Sequence, residues 1–275
     1  MPLKHVQFKP LTAVLLGLAA TATSAVAASN CPNQPFSLQA TYVNNASDWR
    51  EFDNKGGELV HESGTLQGPQ VAVALSCWGW NFQAQLSQLD GDRDYDGQTS
   101  SGTAIRSHSA LHQLHRQVQT SVKATDAWSL GLRLSNQVTW RDIASAGGAS
   151  GYPERFEWTL LSLGSQWQLP VGPGQLTLAA WAGKQLNSIM TLHLPGRDQT
   201  ALALGAISQI ELQIGWRIPL GADWGLQADA GYRRTDIGQG ADAVVTRNGL
   251  PTGVAHQPRS RAVDVPMSIR IDYKF

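Results

Sequence analysis

Segment 263–275 places Val263, Val265, Met267, Ile269, Ile271, Tyr273 and Phe275 at alternate positions. Asp264, Pro266, Ser268, Arg270, Asp272 and Lys274 lie between them. A helix would mix the two sets, whereas an extended strand puts them on opposite faces. The same separation recurs at Ile210–Leu220, Trp128–Trp140 and Trp80–Leu86, and more weakly at Val71–Leu75 and Leu226–Tyr232. Short turns near 78–79, 125–127, 171–174 and 221–223 alternate with long polar stretches at 44–57, 90–103, 141–154, 187–208 and 236–260. The spacing predicts ten strands, over 36–44, 58–78, 80–90, 103–124, 128–141, 155–169, 175–187, 208–220, 224–236 and 261–275. The fold expected is all-β: a closed antiparallel transmembrane β-barrel with short periplasmic turns and long extracellular loops. Eight or twelve strands are the alternatives.

Three features turn the apolar face towards lipid. The opposite face carries Arg133, Glu211, Arg217, Asp229, Arg233, Asp264, Arg270 and Asp272, a mixed-sign set suited to pairing inside a narrow lumen. Trp78, Trp80, Trp128, Trp167 and Trp224 neighbour the short turns, and Trp140, Trp158 and Tyr232 lie near the loop ends. From Trp128 to Trp140 a strand runs roughly 40 Å, rising about 30 Å at a tilt of about 40°, close to the bilayer thickness. The chain ends in Tyr273-Lys274-Phe275. Tyr273 and Phe275 close an alternating strand in the manner of the signal read by the barrel-assembly machinery of Gram-negative bacteria. Lipid cannot satisfy a free sheet edge, so the last strand should pair with the first.

The N-terminus carries Lys4 and Lys9, an apolar run at Leu11–Ala20, and Ala25-Val26-Ala27. This is the pattern of a cleaved secretory signal peptide over 1–27, leaving 28–275 as a single barrel domain. The run is too short to cross a bilayer as a helix. Composition adds exclusions. The 21 Lys+Arg balance 21 Asp+Glu, and the charged fraction is only 15%. That leaves no electrostatic case for nucleic-acid binding and argues against disorder. Two cysteines cannot build a four-cysteine zinc site.

Candidate chemistry is sparse. Asp90-Gly91-Asp92-Arg93-Asp94-Tyr95-Asp96-Gly97 falls in the second predicted extracellular loop. In strand count, tall strands, long loops and final aromatic the chain resembles the omptins, outer-membrane proteases. The resemblance implies that Asp90 and Asp92 (or Asp92 and Asp94) form the paired carboxylates that hold a nucleophilic water, with His193 the nearest histidine in the fourth loop. The Asp-x-His element of that family is absent from Leu192-His193-Leu194-Pro195-Gly196-Arg197-Asp198. The bland reading of the aspartates is a polar turn-forming loop. On strand 4, His108 and His112 share parity with Leu114 and Val118 and should face outward near the outer leaflet, as in lipid-hydrolysing barrels. Neighbouring Ser107 and Ser109 point the other way, so a nucleophile would have to come from another strand. Asp53, Glu58, His61 and Glu62 around the first loop, and Glu154, Arg155 and Glu157 near the third, read as rim and lumen polar groups.

The expected protein is therefore an integral outer-membrane barrel, a monomer and non-enzymatic, without metal or cofactor. Its extracellular loops would serve surface interaction or envelope structure. Its partners would be outer-membrane lipid, lipopolysaccharide and, during biogenesis, the barrel-assembly machinery. The alternatives are an omptin-like protease and a lipid-hydrolysing barrel.

Cys31 precedes the first strand and Cys77 ends the second, both at the periplasmic rim in an oxidising compartment. A Cys31–Cys77 disulfide is expected. Its loop of about 46 residues would contribute on the order of 4 kcal/mol by the chain-entropy argument. Non-reducing mass spectrometry of the mature chain should find no free thiol, and two free thiols would refute the pairing.

Overall fold

A computed structural model describes residues 36–98 and 102–275. The expected signal peptide over 1–27 and Cys31 fall outside the described residues. Ten antiparallel strands form the wall: β1 (Phe36–Phe52), β2 (Glu58–Cys77), β3 (Trp80–Gln98), β4 (Ala104–Lys123), β5 (Trp128–Ile143), β6 (Pro153–Val171), β7 (Gly174–Leu192), β9 (Ile207–Pro219), β10 (Trp224–Ile237) and β13 (Arg259–Lys274). The short strands β8 (Thr200–Leu202), β11 (Ala243–Arg247) and β12 (Leu250–Ala255) belong to the extracellular connections. The cylinder closes where β1 pairs with β13, from Ser37 opposite Lys274 to Phe52 opposite Arg259. Every neighbouring pair in the ring, β6–β7 included, is hydrogen-bonded.

The alternation sets the two faces. In the lower part of the wall, Leu38, Tyr42, Phe82, Leu130, Leu132, Leu134, Ile210, Leu212, Ile214 and Met267 all point outward and are exposed. Leu163 at 68%, Ile269 at 64% and Val118 at 60% exposure continue the same surface. It has no protein cover, and it is the membrane-facing band. Aromatic residues mark its periplasmic edge. Trp128 stacks on Trp167 with centroids 6.4 Å apart, Trp224 meets Tyr273 at 4.8 Å, and Phe36 meets Phe275 at 5.3 Å. The first hairpin turns within two residues, Trp78 at φ 49° and Gly79 at φ 79°, the positive pair that a right-twisted hairpin requires.

Some strands are taller than the pattern predicts. β1 continues past 44 to Phe52, β3 past 90 to Gln98, and β7 past 187 to Leu192. The outward residues of the first two extensions are mostly polar: Asn44, Asp48 and Arg50 on β1, with Ala46 and Phe52 among them, and Asp90, Asp92, Asp94 and Asp96 on β3. They carry no continuous apolar stripe to reveal a strand. The Asp-rich stretch is thus strand rather than loop, paired with β4 from Asp90 opposite His112 to Asp96 opposite Arg106. Trp158 also departs from its expected place: it is 4% exposed and faces the interior instead of the outer rim.

The band predicts a sharp depth dependence. Leu132→Arg, on the lipid face, should destabilise the barrel by about 2–4 kcal/mol. Thr65→Arg, outward but above the band, should change stability little. Urea titration in lipid vesicles, followed by tryptophan fluorescence, checks this, and equal effects would contradict the assignment of the band.

Candidate functional site

Above the membrane band, charged side chains cross the lumen. Arg141 on β5 meets Glu62 on β2 at 2.6 Å, Glu154 on β6 at 2.8 Å and Glu51 on β1 at 3.1 Å. Ser109 on β4 donates to Glu62 at 2.8 Å, and Arg93 lies 3.7 Å from the second Glu62 oxygen. Arg93 donates to Ser47 at 2.6 Å, Ser47 donates to Asp264 at 2.7 Å, and Arg233 closes the chain on Asp264 at 2.9 Å. The result ties β1 to β6, β10 and β13 together through the interior. Some links join paired neighbours, such as Arg141 opposite Glu154, whereas Arg141 with Glu51 and Glu62 joins strands far apart in sequence whose inward faces meet across the lumen.

Beside this chain lies an apolar plug. Trp49, Phe156, Trp158, Leu160, Met190, Leu192, Ile207 and Ile237 point inward, and Leu202 and Leu204 join them from the connection between β7 and β9. Between plug and ion chain a gap of about 20 Å³ is left, lined by Trp49, Arg93, Arg141 and Phe156 among others. That is room for about one water. The interior is therefore packed at this level. On the β1–β4 side, Val43, Leu66, Leu89 and Leu111 form a further apolar layer.

The extracellular connections form an ordered crown. Asp198 accepts from Thr246 Oγ1 at 2.7 Å, Gly249 N at 2.9 Å and Asn248 N at 3.1 Å, stapling the fourth connection to the β11–β12 hairpin. These donors, the Gly249 amide first, hold its carboxyl below the usual range. The hairpin buries Val245 beneath it and leaves Val244, Leu250 and Val254 exposed at 57%, 69% and 64%.

A cleft of about 380 Å³ opens over the ion chain, lined by Glu51, Tyr95, Arg141, Tyr152 and Glu154 among others. Glu51, Glu62 and Glu154 face two guanidiniums, Arg141 and Arg93, so this cluster carries one carboxylate in excess. Glu154 answers the imbalance. Burial, with the negative charges of Glu51 and Glu62, raises its pKa from 4.5 to about 7 against the pull of Arg141. Burial raises the Tyr152 hydroxyl as well.

The residues singled out from sequence fall in several places. Arg133 pairs with Glu211 at 3.0 Å, Arg217 with Asp272 at 2.6 Å, Arg233 with Asp264 at 2.9 Å and Arg270 with Asp229 at 2.9 Å, all inside the cylinder. Asp90 and Asp92 lie on the outward face of β3, and Asp90 Oδ1 is 2.5 Å from His112 Nδ1. His193 follows β7, its amide donating to Pro153 O. Asp90 and Asp92 point away from the lumen, and among the described residues no hydrogen bond or ion pair joins them to His193. His61 bonds Asp48 at 2.7 Å on the outer face, whereas Glu62 is fully buried inside. Cys77 ends β2 at the rim and is not a free thiol. Tyr273 and Phe275 contact each other at 4.8 Å at the seam. Sequence reasoning misses Arg93, Arg141 and Glu51 as lumen groups. Parity is the available signal, since Arg141 shares it with Arg133.

No protein-family model matches the sequence, and no curated protein matches it. Among solved structures, the chain is similar to the outer membrane protease OmpT from Escherichia coli. That match has a TM-score of 0.57 at 8% identity and covers 90% of this chain and 98% of OmpT. It is also similar to the translocator domain of the autotransporter NalP from Neisseria meningitidis, with a TM-score of 0.46, 16% identity and 96% of each chain covered. Neisserial surface protein A gives 0.35 at 12% identity, over 87% of this chain and 97% of that one. The likeness to OmpT is one of fold. With the lipid-facing band and the closed seam, it makes the chain an integral outer-membrane protein, a ten-stranded antiparallel β-barrel.

The raised Glu154 carboxyl gives a signed pH dependence. Between about 4.5 and 7 the folded chain holds a proton that the unfolded chain has released, so stability falls as pH rises through that window and levels off above it. Glu154→Gln should flatten this slope. Urea midpoints measured from roughly pH 4 to pH 8 check it, and an unchanged slope would place the titration elsewhere.

Proposed function

We propose that the protein is a non-enzymatic, sealed outer-membrane barrel whose extracellular crown is a surface for interaction. The observation that carries this reading is the stapled β11–β12 hairpin, which holds Val244, Leu250 and Val254 in the open above the barrel. Exposed apolar side chains clustered on an ordered element are a feature of contact surfaces. The plug and the ion chain favour a sealed wall over a pore. The exposed outward cations Arg116 and Lys184 sit at the upper edge of the apolar band, where lipopolysaccharide phosphates would meet them. The Cys31–Cys77 disulfide and recognition of Tyr273 and Phe275 by the barrel-assembly machinery belong to the same reading.

One contact favours a second reading, an omptin-like hydrolase. His112 lies beside Asp90, with Asp92 on the same face. That face is the outside of the wall, so a substrate would have to approach the barrel laterally.

A single set of variants separates the two. Cells displaying the chain should attach to an apolar surface several-fold better than cells displaying Val244→Asp/Leu250→Asp/Val254→Asp, at equal amounts of heat-modifiable barrel. Equal attachment would overturn the crown reading. Peptide cleavage that is lost in both Asp90→Ala and His112→Ala would establish the hydrolase instead.

A further inference from the structure

Below the plug the lumen widens into a chamber of about 360 Å³ that reaches the periplasmic rim, where Ser37, Gln168 and Lys274 line it. Its size is at the small end of ligand pockets, roughly 300–1,000 Å³. The open space is built into the wall. A Cβ on Gly225 would lie 2.3 Å from the Arg217 guanidinium, and one on Gly215 would lie 2.2 Å from Asp229 Oδ1. Glycine at these two positions lets Arg217 and Asp229 lie flat along the wall instead of crossing the lumen. Both are held there by wall-to-wall pairs, Arg217 with Asp272 and Asp229 with Arg270.

The chemistry of the lining is amide chemistry. Gln85, Gln117, Gln119, Gln168, Gln175 and Gln213 reach it from β3, β4, β6, β7 and β9. Each carries an acceptor oxygen and a donor nitrogen on one short plane, the complement of a sugar hydroxyl that both donates and accepts. Two buried atoms of lining residues, Asn45 Oδ1 and Arg270 Nε, have no hydrogen-bond partner in the protein. The four arginines of the lining are paired with its carboxylates or with Asp264, and Lys274 sits at the open periplasmic end, so little charge is left inside the chamber to recruit an ion. A charged ligand would lose its hydration in a lipid-enclosed space.

We propose that this chamber is a periplasm-facing binding site for a neutral saccharide of one or two rings, held by the glutamine amides and blocked from the cell exterior by the plug above it. The inference is independent of the crown reading.

Isothermal titration of the folded chain in lauryldimethylamine oxide, a detergent without a sugar headgroup, tests it. The probes are methyl α-glucoside, N,N′-diacetylchitobiose and, as a charged control, glucuronate. At least one neutral probe should bind saturably at one site per chain, and more tightly than glucuronate. Gln213→Trp, which fills the chamber, should weaken binding at least about tenfold, or about 1.4 kcal/mol. Gln117→Ala, which only trims an amide, should weaken it several-fold and guards against a folding defect in the larger substitution. Heat-modifiability confirms the fold of each variant. The proposal is overturned if neither neutral probe binds at millimolar concentration, if glucuronate binds as tightly, or if folded Gln213→Trp and Gln117→Ala bind as the parent does.

Discussion

Acyl chains offer no hydrogen bonds, and every other feature of this barrel follows from that. Each unpaired backbone group in the hydrocarbon would cost several kcal/mol, so the sheet has to end on itself. The full register between β1 and β13 meets this demand and makes the wall a cylinder. Once the wall is closed, alternate residues have only two destinations, lipid or lumen. Leu130, Leu132 and Leu134 go to one, and Gly131, Arg133 and Ser135 go to the other.

The lumen then has its own requirement. Arginines and carboxylates inside a narrow cylinder lose hydration and need partners. Buried pairs of this kind are weak evidence of net stability, because desolvation opposes the Coulomb attraction. Their clearer effect is positional. Arg141 reaches Glu62 across the lumen, and Asp264 gathers Asn45 and Ser47 from one neighbouring strand and Arg233 from the other. A strand slipped by one residue would turn these charges out of the lumen and away from their partners, leaving the opposite charges buried alone, so the network penalises the wrong register more than it rewards the right one.

The fold is legible in sequence wherever lipid imposes contrast. Val263–Phe275 and Trp128–Trp140 alternate so cleanly that strand, face and lower ion network can all be read from parity. Legibility fails where the membrane ends. Asp90, Asp92, Asp94 and Asp96 alternate with Gly91, Arg93 and Tyr95, polar against polar for the most part, so strand and loop look alike. Trp158 stands close to a loop, which suggests the rim, although its parity with Phe156 and Leu160 puts it inside. The upper network is opaque for another reason. Glu51 and Glu62 lie in β1 and β2, far in sequence from Arg141 in β5, and nothing local says that they meet.

The boundary between the two regimes is itself visible along single strands. On β6, Trp167, Leu163 and Leu161 face lipid, and from Leu160 upward the apolar residues Leu160, Trp158 and Phe156 face the interior. The switch falls at a β-bulge between Thr159 and Leu160 in the pairing with β7. β7 makes the same change, from Leu178 outside to Met190 and Leu192 inside, and β1 from Tyr42 outside to Trp49 inside. Each of these strands thus belongs to a membrane barrel below and to a water-soluble barrel above, with its hydrophobic face reversed between them. The upper barrel has a packed apolar core of its own, and the connection between β7 and β9 joins that core through Leu202 and Leu204 while Asp198 ties it to the β11–β12 hairpin, so the crown is anchored to protein rather than to lipid.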